Sequence, residues 1–492
     1  MADPCPGFSS VSRYLAREVP FRFRGRDFTF ALSRELFSSA DIDRGTRLLL
    51  RTFSRRLDED LRAGKAPPRA VLDCGCGAGV IGICAAAALG AVRAEGGLSV
   101  SSAGPRVRSQ DRDEMARLFT EYNARRNQIP PDALEARTEP LLAGPSGGRW
   151  DLILSNVPAK AGRPVLEDFI RRSAALLNPG GLVMLVVVHS LAGFFRARIE
   201  ESCARPPEEE AGAGHSVFVY GASGRAVSGG CRPEEREASG GLLASRPFYL
   251  RKSGDYRMEG IPLRLDTVYG AAGFDSPGGA AAAAAKLARR LGPEKLGLAA
   301  AGALLVHEPG QGFFPLWLLG YLRGAGPGTR GPAGGYSLVL SGRNILALEA
   351  ARHNIRTAFP VRAGGELARG EGEPGGPGGG LSGPEILCAV DLPAVRDGPF
   401  SFIAAFPETV SPKAPRAPGE KDRHGPLWEG IARLLVPGGT ALVALASAGA
   451  ERFDREKPAG FSRLGALRRE GFQAVAYNKR VTFSSPPSEA DS

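Results

Sequence analysis

The sequence predicts an α/β protein with two similar domains in tandem, each built on a mostly parallel sheet with a final antiparallel strand. Three observations lead to this prediction. Short apolar runs alternate with helical segments, which is typical of parallel sheets. A glycine-rich turn joins one of the first strands to a helix within residues 71–88. Much of this pattern then recurs after residue 245, which indicates an internal duplication.

The composition limits the class of protein. A chain of 492 residues can form two or three domains, and 43% hydrophobic with 23% charged residues is ordinary for a globular protein. The net charge of +11 permits a polyanionic partner such as RNA, but an arginine-rich composition explains it equally well. Seven cysteines without regular spacing predict neither a disulfide framework nor a metal site.

No signal peptide or membrane span is predicted. The N-terminus lacks a basic region followed by an apolar core, and the apolar run at 182–188 is too short to cross a bilayer. The longer run at 299–322 is interrupted by polar residues and is predicted to be a buried strand, loop and helix. We therefore expect a cytoplasmic protein with no membrane partner, and the sequence indicates no oligomeric state.

The first elements precede the glycine loop. Residues 21–30 alternate aromatic and polar side chains on both sides of a turn, which predicts a β-hairpin. The loop at 36–46 then opens an apolar helix at 48–61. Thr46 is the predicted N-cap of this helix, because a threonine oxygen can accept from the free N–H groups of a first turn.

The glycine loop follows the strand that contains Asp73. Gly75, Gly77 and Gly79 allow the backbone to approach a ligand, and the next helix presents free N–H groups. Residues 77–82 match the dinucleotide fingerprint GxGxxG, which is a weak signal alone. Asp73-x-Gly-x-Gly-x-Gly is instead the pattern of S-adenosylmethionine (SAM) binding in class I methyltransferases. Both ligand classes fit the loop by itself.

An acidic residue at the end of the second strand suits hydrogen bonds to ribose hydroxyls. Asp111 is the predicted residue, with Asp113 as the alternative. The same position also favours a carboxylate that caps the helix after it. Residues 133–139 are the predicted third strand.

A buried strand at 150–155 ends in Ser155-Asn156-Val157-Pro158. Ligands of open α/β sheets bind at the carboxyl ends of strands. The Asn156 side-chain oxygen and the Val157 carbonyl can accept from an exocyclic amine, and Pro158 fixes the backbone that presents them. Asn156, Val157 and Pro158 are therefore the predicted catalytic residues. A purely structural turn is the alternative.

The second copy keeps the framework and loses the site. Gly310 and Gly312 correspond to Gly77 and Gly79 at a constant offset in numbering. Three residues of the predicted ligand site are replaced: Val306 for Asp73, Glu308 for Gly75 and Gly342 for Asp111. The predicted domains are a catalytic domain at 1–230, a linker at 231–245, a degenerate domain at 246–483 and a disordered tail at 484–492. We expect the second domain to contribute to acceptor binding.

These motifs resemble the methyltransferase small domain group, which includes the ribosomal RNA small-subunit methyltransferase C and large-subunit methyltransferase G families. The resemblance rests on motifs between residues 36 and 190, which are in chain order Phe37-Ser38, Asp43-x-Gly45-Thr46, Asp73-x-Gly-x-Gly-x-Gly, Ser155-Asn156-x-Pro158 and Pro179-Gly-Gly. It implies two tandem Rossmann-like class I methyltransferase domains with one degenerate copy. It also implies SAM as the cofactor, held by Thr46, Asp73, Gly75, Gly77, Gly79, Asp111 and Asn156.

The resemblance has two departures. The active copy is the C-terminal one in those families, whereas the intact motifs are N-terminal here. Their Asn-Pro-Pro-Phe motif carries an aromatic ring that stacks on the target base, and Ala159 stands at that position. The resemblance implies methylation of guanine N2 in RNA, with ribosomal RNA favoured. Methylation of a protein or small molecule, or a non-catalytic RNA-binding or assembly role, are the alternatives.

Overall fold

The structure is a computed structural model that describes residues 9–36, 40–95, 106–142, 149–203, 206–221, 242–272, 275–298, 302–324, 336–359, 384–396, 398–407 and 424–481. The chain divides into two compact units. The first is Met1–Leu250 with Asn344–Leu346, and the second is Arg251–Arg343 with Ala347–Ser492. Phe37 and Ser38, most of the predicted linker and the predicted disordered tail lie outside the described residues.

The first unit extends beyond the predicted end of the catalytic domain. Residues 242–245 form a helical turn and Pro247–Tyr249 form a 3-10 helix, and both belong to the first unit. Tyr249 is only 3% exposed. The compact units therefore meet in sequence at residue 250, a few residues after the predicted linker.

The first unit opens with a hairpin and one long helix, followed by alternating strands and helices. In chain order its elements are α1 Ser9–Tyr14, β1 Leu15–Phe23, β2 Arg26–Ser33, α2 Arg44–Arg62, β3 Ala70–Cys74, α3 Val80–Glu95, β4 Arg106–Asp111, α4 Glu114–Arg126, β5 Leu134–Thr138, β6 Trp150–Asn156, α5 Arg163–Ala175, β7 Leu177–Val188, α6 His189–Ser202, β8 Glu208–Ala211 and β9 His215–Gly221.

The second unit repeats this order. Its elements are β10 Leu250–Met258, β11 Ile261–Val268, α7 Gly279–Lys295, β12 Ala303–His307, α8 Phe313–Gly324, β13 Ser337–Gly342, α9 Ile345–Ala358, β14 Glu385–Cys388, β15 Phe400–Ala405, α10 Gly425–Leu434, β16 Leu435–Ala446, α11 Ser447–Arg455, β17 Phe461–Arg469 and β18 Phe472–Lys479. A 3-10 helix, Leu392–Ala394, follows β14.

Each unit contains a seven-stranded sheet, and the two sheets have the same topology. The strand orders are β5-β4-β3-β6-β7-β9-β8 and β14-β13-β12-β15-β16-β18-β17. The first five strands of each sheet are parallel, and β9 and β18 run antiparallel to their neighbours β7 and β16. The predicted tandem α/β fold with a final antiparallel strand is confirmed. An additional edge strand in each sheet, β8 or β17, was not predicted.

The central strands are buried because helices cover both faces of each sheet. In β3, Val71 and Cys74 are fully buried and Leu72 is 2% exposed. Helix α2 packs its apolar side, which includes Leu49 and Phe53, on β7 and β9. The hairpin β1–β2 contributes Phe28 and Phe30 to the same core, as predicted from its alternating aromatic residues. Because β4, β3 and β6 are parallel neighbours in the sheet, their carboxyl ends lie side by side.

Candidate active site

The glycine loop leaves open space beside Gly75 and Gly77. Both residues have positive φ angles, 73° and 54°. The Gly75 N–H donates to the Gln110 carbonyl at 2.8 Å, which ties the loop to β4. A Cβ atom on Gly77 meets no atom within 4 Å, and one on Gly75 has only the Asn156 carbonyl at 4.0 Å. The backbone at these positions can therefore closely approach a ligand.

At Gly79 and Gly82, glycine is required because neighbouring residues leave no room for a side chain. A Cβ atom on Gly79 is 2.8 Å from the Thr120 side chain, and one on Gly82 is 2.0 Å from Ser109 Oγ. The Gly79 N–H already donates to the Cys76 carbonyl at 2.8 Å. These glycines allow α3 to pack closely on α4 and β4. Direct cofactor contact by Gly79 stays a prediction.

Asp73 lies beneath the loop and is fully buried. Its Oδ2 accepts from the Gly82 N–H at 2.9 Å and from Ser109 Oγ at 3.2 Å, so the carboxylate caps the first turn of α3. Among the described residues, none donates to Asp73 Oδ1. The pKa of Asp73 is raised to about 7, mainly by burial and also by the Asp111 carboxylate, while the two hydrogen bonds lower it. Asp73 therefore supports the loop from behind.

Asp111 lies at the carboxyl end of β4, where the sequence predicts the ribose-binding carboxylate. Its Oδ2 accepts from the Gly77 N–H at 3.2 Å, and its Oδ1 accepts from the Asp113 N–H at 3.1 Å. Burial and the nearby Asp113 raise the pKa of Asp111. Asp113 is the N-cap of α4 and accepts from the Met115 N–H at 2.9 Å. The carboxylate that caps the helix after β4 is therefore Asp113 and not Asp111.

Asn156 is held by the first turn of α2. Its Nδ2 lies 3.1 Å from both carboxylate oxygens of Asp43 and 3.1 Å from Thr46 Oγ1. No described residue donates to the Asn156 Oδ1. Val157 is buried, and its N–H donates to the Val186 carbonyl at 3.1 Å. Pro158 is half-buried at the start of the turn that leads to α5.

The predicted N-cap of α2 was wrong. The helix begins at Arg44, and its N-cap is Asp43, whose carboxylate accepts from the Thr46 N–H at 3.0 Å. Thr46 lies inside the first turn, is 6% exposed, and donates its hydroxyl to Asp43 Oδ2 at 2.5 Å. Cofactor contact by Thr46 stays a prediction. Asp43 belongs to one of the motifs that carry the family resemblance, but no role was predicted for it, although Asp is as good an N-cap as Thr.

The described residues contain no cluster of His, Cys, Asp and Glu that could hold a metal ion. Cys74 and Cys76 are buried within the strand end and loop, and burial raises the pKa of both thiols. Protonated, buried thiols are poor nucleophiles and poor metal ligands. These cysteines therefore act as small packing residues.

The corresponding loop of the second unit carries polar side chains that bond backbone N–H groups of the same unit. The Glu308 carboxylate accepts from the Arg343 N–H at 2.9 Å and lies against Gly342. Gln311 is 2% exposed and its Oε1 accepts from the Val268 N–H at 2.6 Å. His307 is buried, which lowers its pKa to about 4. The second unit therefore lacks the Asp111 carboxylate and has Glu308 where the first unit has Gly75, although a Cβ atom on Gly310 also meets no atom within 4 Å.

Comparison with known proteins agrees with this geometry. The family model for the methyltransferase small domain matches residues 27–203. The uncharacterized protein YbxB of Bacillus subtilis (strain 168) is 27% identical over 167 residues, which cover 34% of this chain and 72% of YbxB. The ribosomal RNA small subunit methyltransferase C of Actinobacillus pleuropneumoniae serotype 5b (strain L20) is 30% identical over 168 residues, which cover 33% of this chain and 44% of that protein.

The fold has a solved relative that spans both units. The structure of the T. thermophilus 16S rRNA N2 methyltransferase RsmC, in complex with AdoMet and guanosine, matches with a TM-score of 0.57 at 16% identity. The match covers 95% of this chain and 99% of that chain. No described helix combines the length and the apolar character needed to cross a membrane. The N-terminal unit of this chain therefore matches the methyltransferase small domain family over residues 27–203, and the fold of the chain agrees with that match.

Proposed function

We propose that this chain is a SAM-dependent methyltransferase whose N-terminal unit methylates an exocyclic amine of RNA, most specifically guanine N2 of ribosomal RNA. The observation that carries the proposal is the Asn156 amide. Its NH2 group is bound to Asp43 and Thr46, so its carbonyl oxygen is available at the carboxyl edge of the sheet, next to the glycine loop. A cytoplasmic location follows from this choice of partner.

The residues around the loop fit SAM. Gly75 and Gly77 leave open space beside the backbone, and Asp111 offers carboxylate oxygens at the strand end that suits ribose hydroxyls. The Asp111 carboxylate also adds acidic character to this end of the sheet, which suits the positively charged sulfonium and amino groups of SAM. When bound, SAM supplies an electrophilic methyl group on its sulfur. The second unit offers no such fit, because Glu308 stands in place of Gly75 and Gly342 in place of Asp111.

The Asn156 turn is suited to an amine acceptor. The Asn156 Oδ1 and the Val157 carbonyl are two acceptors on adjacent residues, and an exocyclic NH2 group has two hydrogens to donate. Holding both hydrogens aims the nitrogen lone pair in one direction, and orientation of this kind supplies much of the rate of a displacement reaction. A neutral amine does not need to lose its proton before it attacks. The absence of a histidine or thiolate base from this turn is consistent with such an acceptor.

The choice of RNA rests on the relatives and on charge. The matched relative from A. pleuropneumoniae is a ribosomal RNA methyltransferase, and the solved RsmC structure contains guanosine. The match covers 44% of that relative's length. The chain's net charge of +11 suits a polyanion. Ala159 is exposed where the related motif has an aromatic ring, so base stacking must come from another residue.

Replacing Asn156 by alanine tests the proposal. We expect turnover to fall by about 100-fold or more, because the lost contact orients the amine during transfer. SAM affinity should change little, since Gly75, Gly77 and Asp111 remain. The measurement is transfer of labelled methyl groups from SAM to ribosomal RNA that lacks methylation, with calorimetry for SAM. Full activity in this variant contradicts the catalytic role. If the wild type binds SAM but methylates no RNA, an RNA-binding role is favoured.

A further inference from the structure

Asp43 makes more contacts than an N-cap requires. Capping needs one oxygen that accepts from a first-turn N–H, and Oδ1 does this with the Thr46 N–H at 3.0 Å. Oδ2 instead accepts from Thr46 Oγ1 at 2.5 Å. Both oxygens also lie 3.1 Å from Asn156 Nδ2, on a strand 113 residues away in sequence. The second oxygen thus serves Asn156 and Thr46.

These contacts determine which way the Asn156 amide points. A carboxylate can only accept hydrogen bonds, and the Thr46 hydroxyl uses its single hydrogen on Asp43. Two acceptors therefore face the same end of the Asn156 side chain. Only the NH2 group satisfies both, because a carbonyl oxygen there would face other oxygens. The Oδ1 must point away from α2.

We propose that Asp43 is a positioning residue that locks the Asn156 amide with its oxygen towards the acceptor amine. This inference rests on the proposed function, in which Asn156 Oδ1 binds that amine. Without the lock, an asparagine amide can turn over and present NH2 where the acceptor also presents NH2. The carboxylate excludes this unproductive orientation before the substrate binds, which is preorganisation of the kind that catalysis favours.

The first turn of α2 is held tightly enough for this role. A Cβ atom on Gly45 is 3.0 Å from Asp43 Oδ1 and 3.0 Å from Cδ2 of His215. The Asp43 carboxylate and the His215 ring therefore both lie close to the backbone at Gly45. The Arg47 guanidinium donates to the Ile42 carbonyl at 3.0 Å and fixes the approach to the turn. Asp43 cannot move far without disturbing these contacts.

The isosteric variant Asp43→Asn separates capping from positioning. Asparagine caps helices as well as aspartate does, so the variant should fold with a Tm near that of the wild type. It also brings an NH2 donor to which the Asn156 oxygen can turn. We expect kcat to fall at least about 10-fold, with SAM affinity within about 2-fold of the wild type. Asp43→Ser, which keeps one capping oxygen, should show the same split between kcat and SAM affinity.

A second readout does not depend on activity. In NMR spectra, the Asn156 side-chain NH2 signals, assigned by their loss in Asn156→Ala, should exchange slowly with solvent in the wild type. In Asp43→Asn they should shift and exchange faster. In the Asn156→Ala background, Asp43→Asn should cause no further loss of kcat, because both changes remove the same orientation.

The outcomes separate this inference from the proposed function. If Asn156→Ala abolishes methyl transfer but Asp43→Asn retains wild-type kcat, the positioning role is overturned and the methyltransferase function stands. Unchanged Asn156 amide signals in Asp43→Asn also overturn it, whatever the activity. If Asn156→Ala is fully active, the proposed catalytic role fails first. Loss of kcat together with altered amide signals in Asp43→Asn supports the lock.

Discussion

At the scale of a single residue, Asp73 shows how the fold changes the pKa of a side chain. The side chain is fully buried and has one oxygen with no described partner. Burial raises its pKa to about 7, because the charged form loses water that the two hydrogen bonds do not fully replace. Below pH 4 the carboxyl group is protonated in both the folded and the unfolded chain. Between pH 4 and 7 only the unfolded chain loses the proton.

We expect Asp73 to reduce stability as the pH rises from about 4 to about 7. The difference between the two pKa values corresponds to a loss of roughly 4 kcal/mol above pH 7 in the absence of ligand. Asp73→Asn, which imitates the neutral carboxyl group, should therefore flatten the fall in Tm over this range. The measurement is thermal unfolding from pH 4 to 8, with the exposed Asp132→Asn as control. Parallel curves for the wild type and Asp73→Asn contradict the prediction.

Individual site residues differ in how far sequence predicts them. Asn156 and Asp111 could be predicted because both follow buried strands, and parallel strands bring their carboxyl ends to one edge. The pair of Asp43 and Thr46 could not be resolved in the same way. Either residue can cap a helix. In the structure the Asp43 carboxylate also accepts from Asn156 Nδ2, 113 residues along the chain, and a local pattern does not show this contact. Local pattern places a helix start within a few residues, whereas tertiary contacts select the capping side chain.

At the scale of an element, α2 has two distinct faces. One side is buried, and the opposite side carries a row of arginines at helical spacing, listed as Arg44, Arg47, Arg51, Arg55 and Arg62. The first turn contains no acidic residue. A positive charge at a helix N-terminus is unfavourable against the helix dipole. Arg44 and Arg51 are exposed and form no ion pair with any described residue, so fold stability does not explain them.

We predict that Arg44 and Arg51 contact the phosphates of the RNA acceptor. Replacing each by alanine should weaken RNA binding and reduce the slope of log affinity against log salt by about 1 per residue. Arg55→Ala is the matched control on the same face, because Arg55 already pairs with Glu210 at 2.9 Å. Titrations of RNA binding at several salt concentrations provide the measurement. Equal effects from all three variants would indicate a solvated face with no specific contacts.

The elements that were easiest to predict are those whose pattern of apolar and polar residues follows the burial of their side chains. The hairpin β1–β2 agrees with its alternating pattern, and the buried strand β6 agrees with its central apolar run at residues 152–154. The edge strand β8 was missed because its sequence is Glu208-Glu-Glu-Ala211. Such a strand forms by pairing with β9 and not by burying apolar side chains. Charged residues on an edge strand also discourage association with other sheets.

At the scale of the whole molecule, the two units are copies of one fold. Asparagines at corresponding positions make the same hydrogen bonds in both units. Asn123 on α4 bonds the backbone of Ala31 and Ala78, and Asn354 on α9 bonds the backbone of Asp266 and Gln311 in the same way. Each asparagine ties a hairpin strand to the glycine loop. The framework of the site is therefore kept in both units, while the ligand-facing residues differ.

A matched pair of loop variants tests whether only the first unit binds SAM. Gly77 and Gly310 have φ angles of 54° and 57°, and a Cβ atom at either position meets nothing within 4 Å. A glutamate therefore imposes a similar backbone strain in both units, of about 1–2 kcal/mol. Only at Gly77 does it also place a carboxylate and a side chain in open space beside Asp111.

We expect calorimetry on the full chain to give one SAM site. Gly77→Glu should weaken binding at least about 100-fold, because the new side chain takes the space of the ligand and repels its carboxylate. Gly310→Glu should leave affinity and stoichiometry unchanged, since Glu308 replaces Gly75 in that loop and Gly342 replaces Asp111 beside it. Two sites in the wild type, or loss of binding in Gly310→Glu alone, would assign the ligand to the second unit. Equal losses in both variants would show that the strain itself disrupts binding.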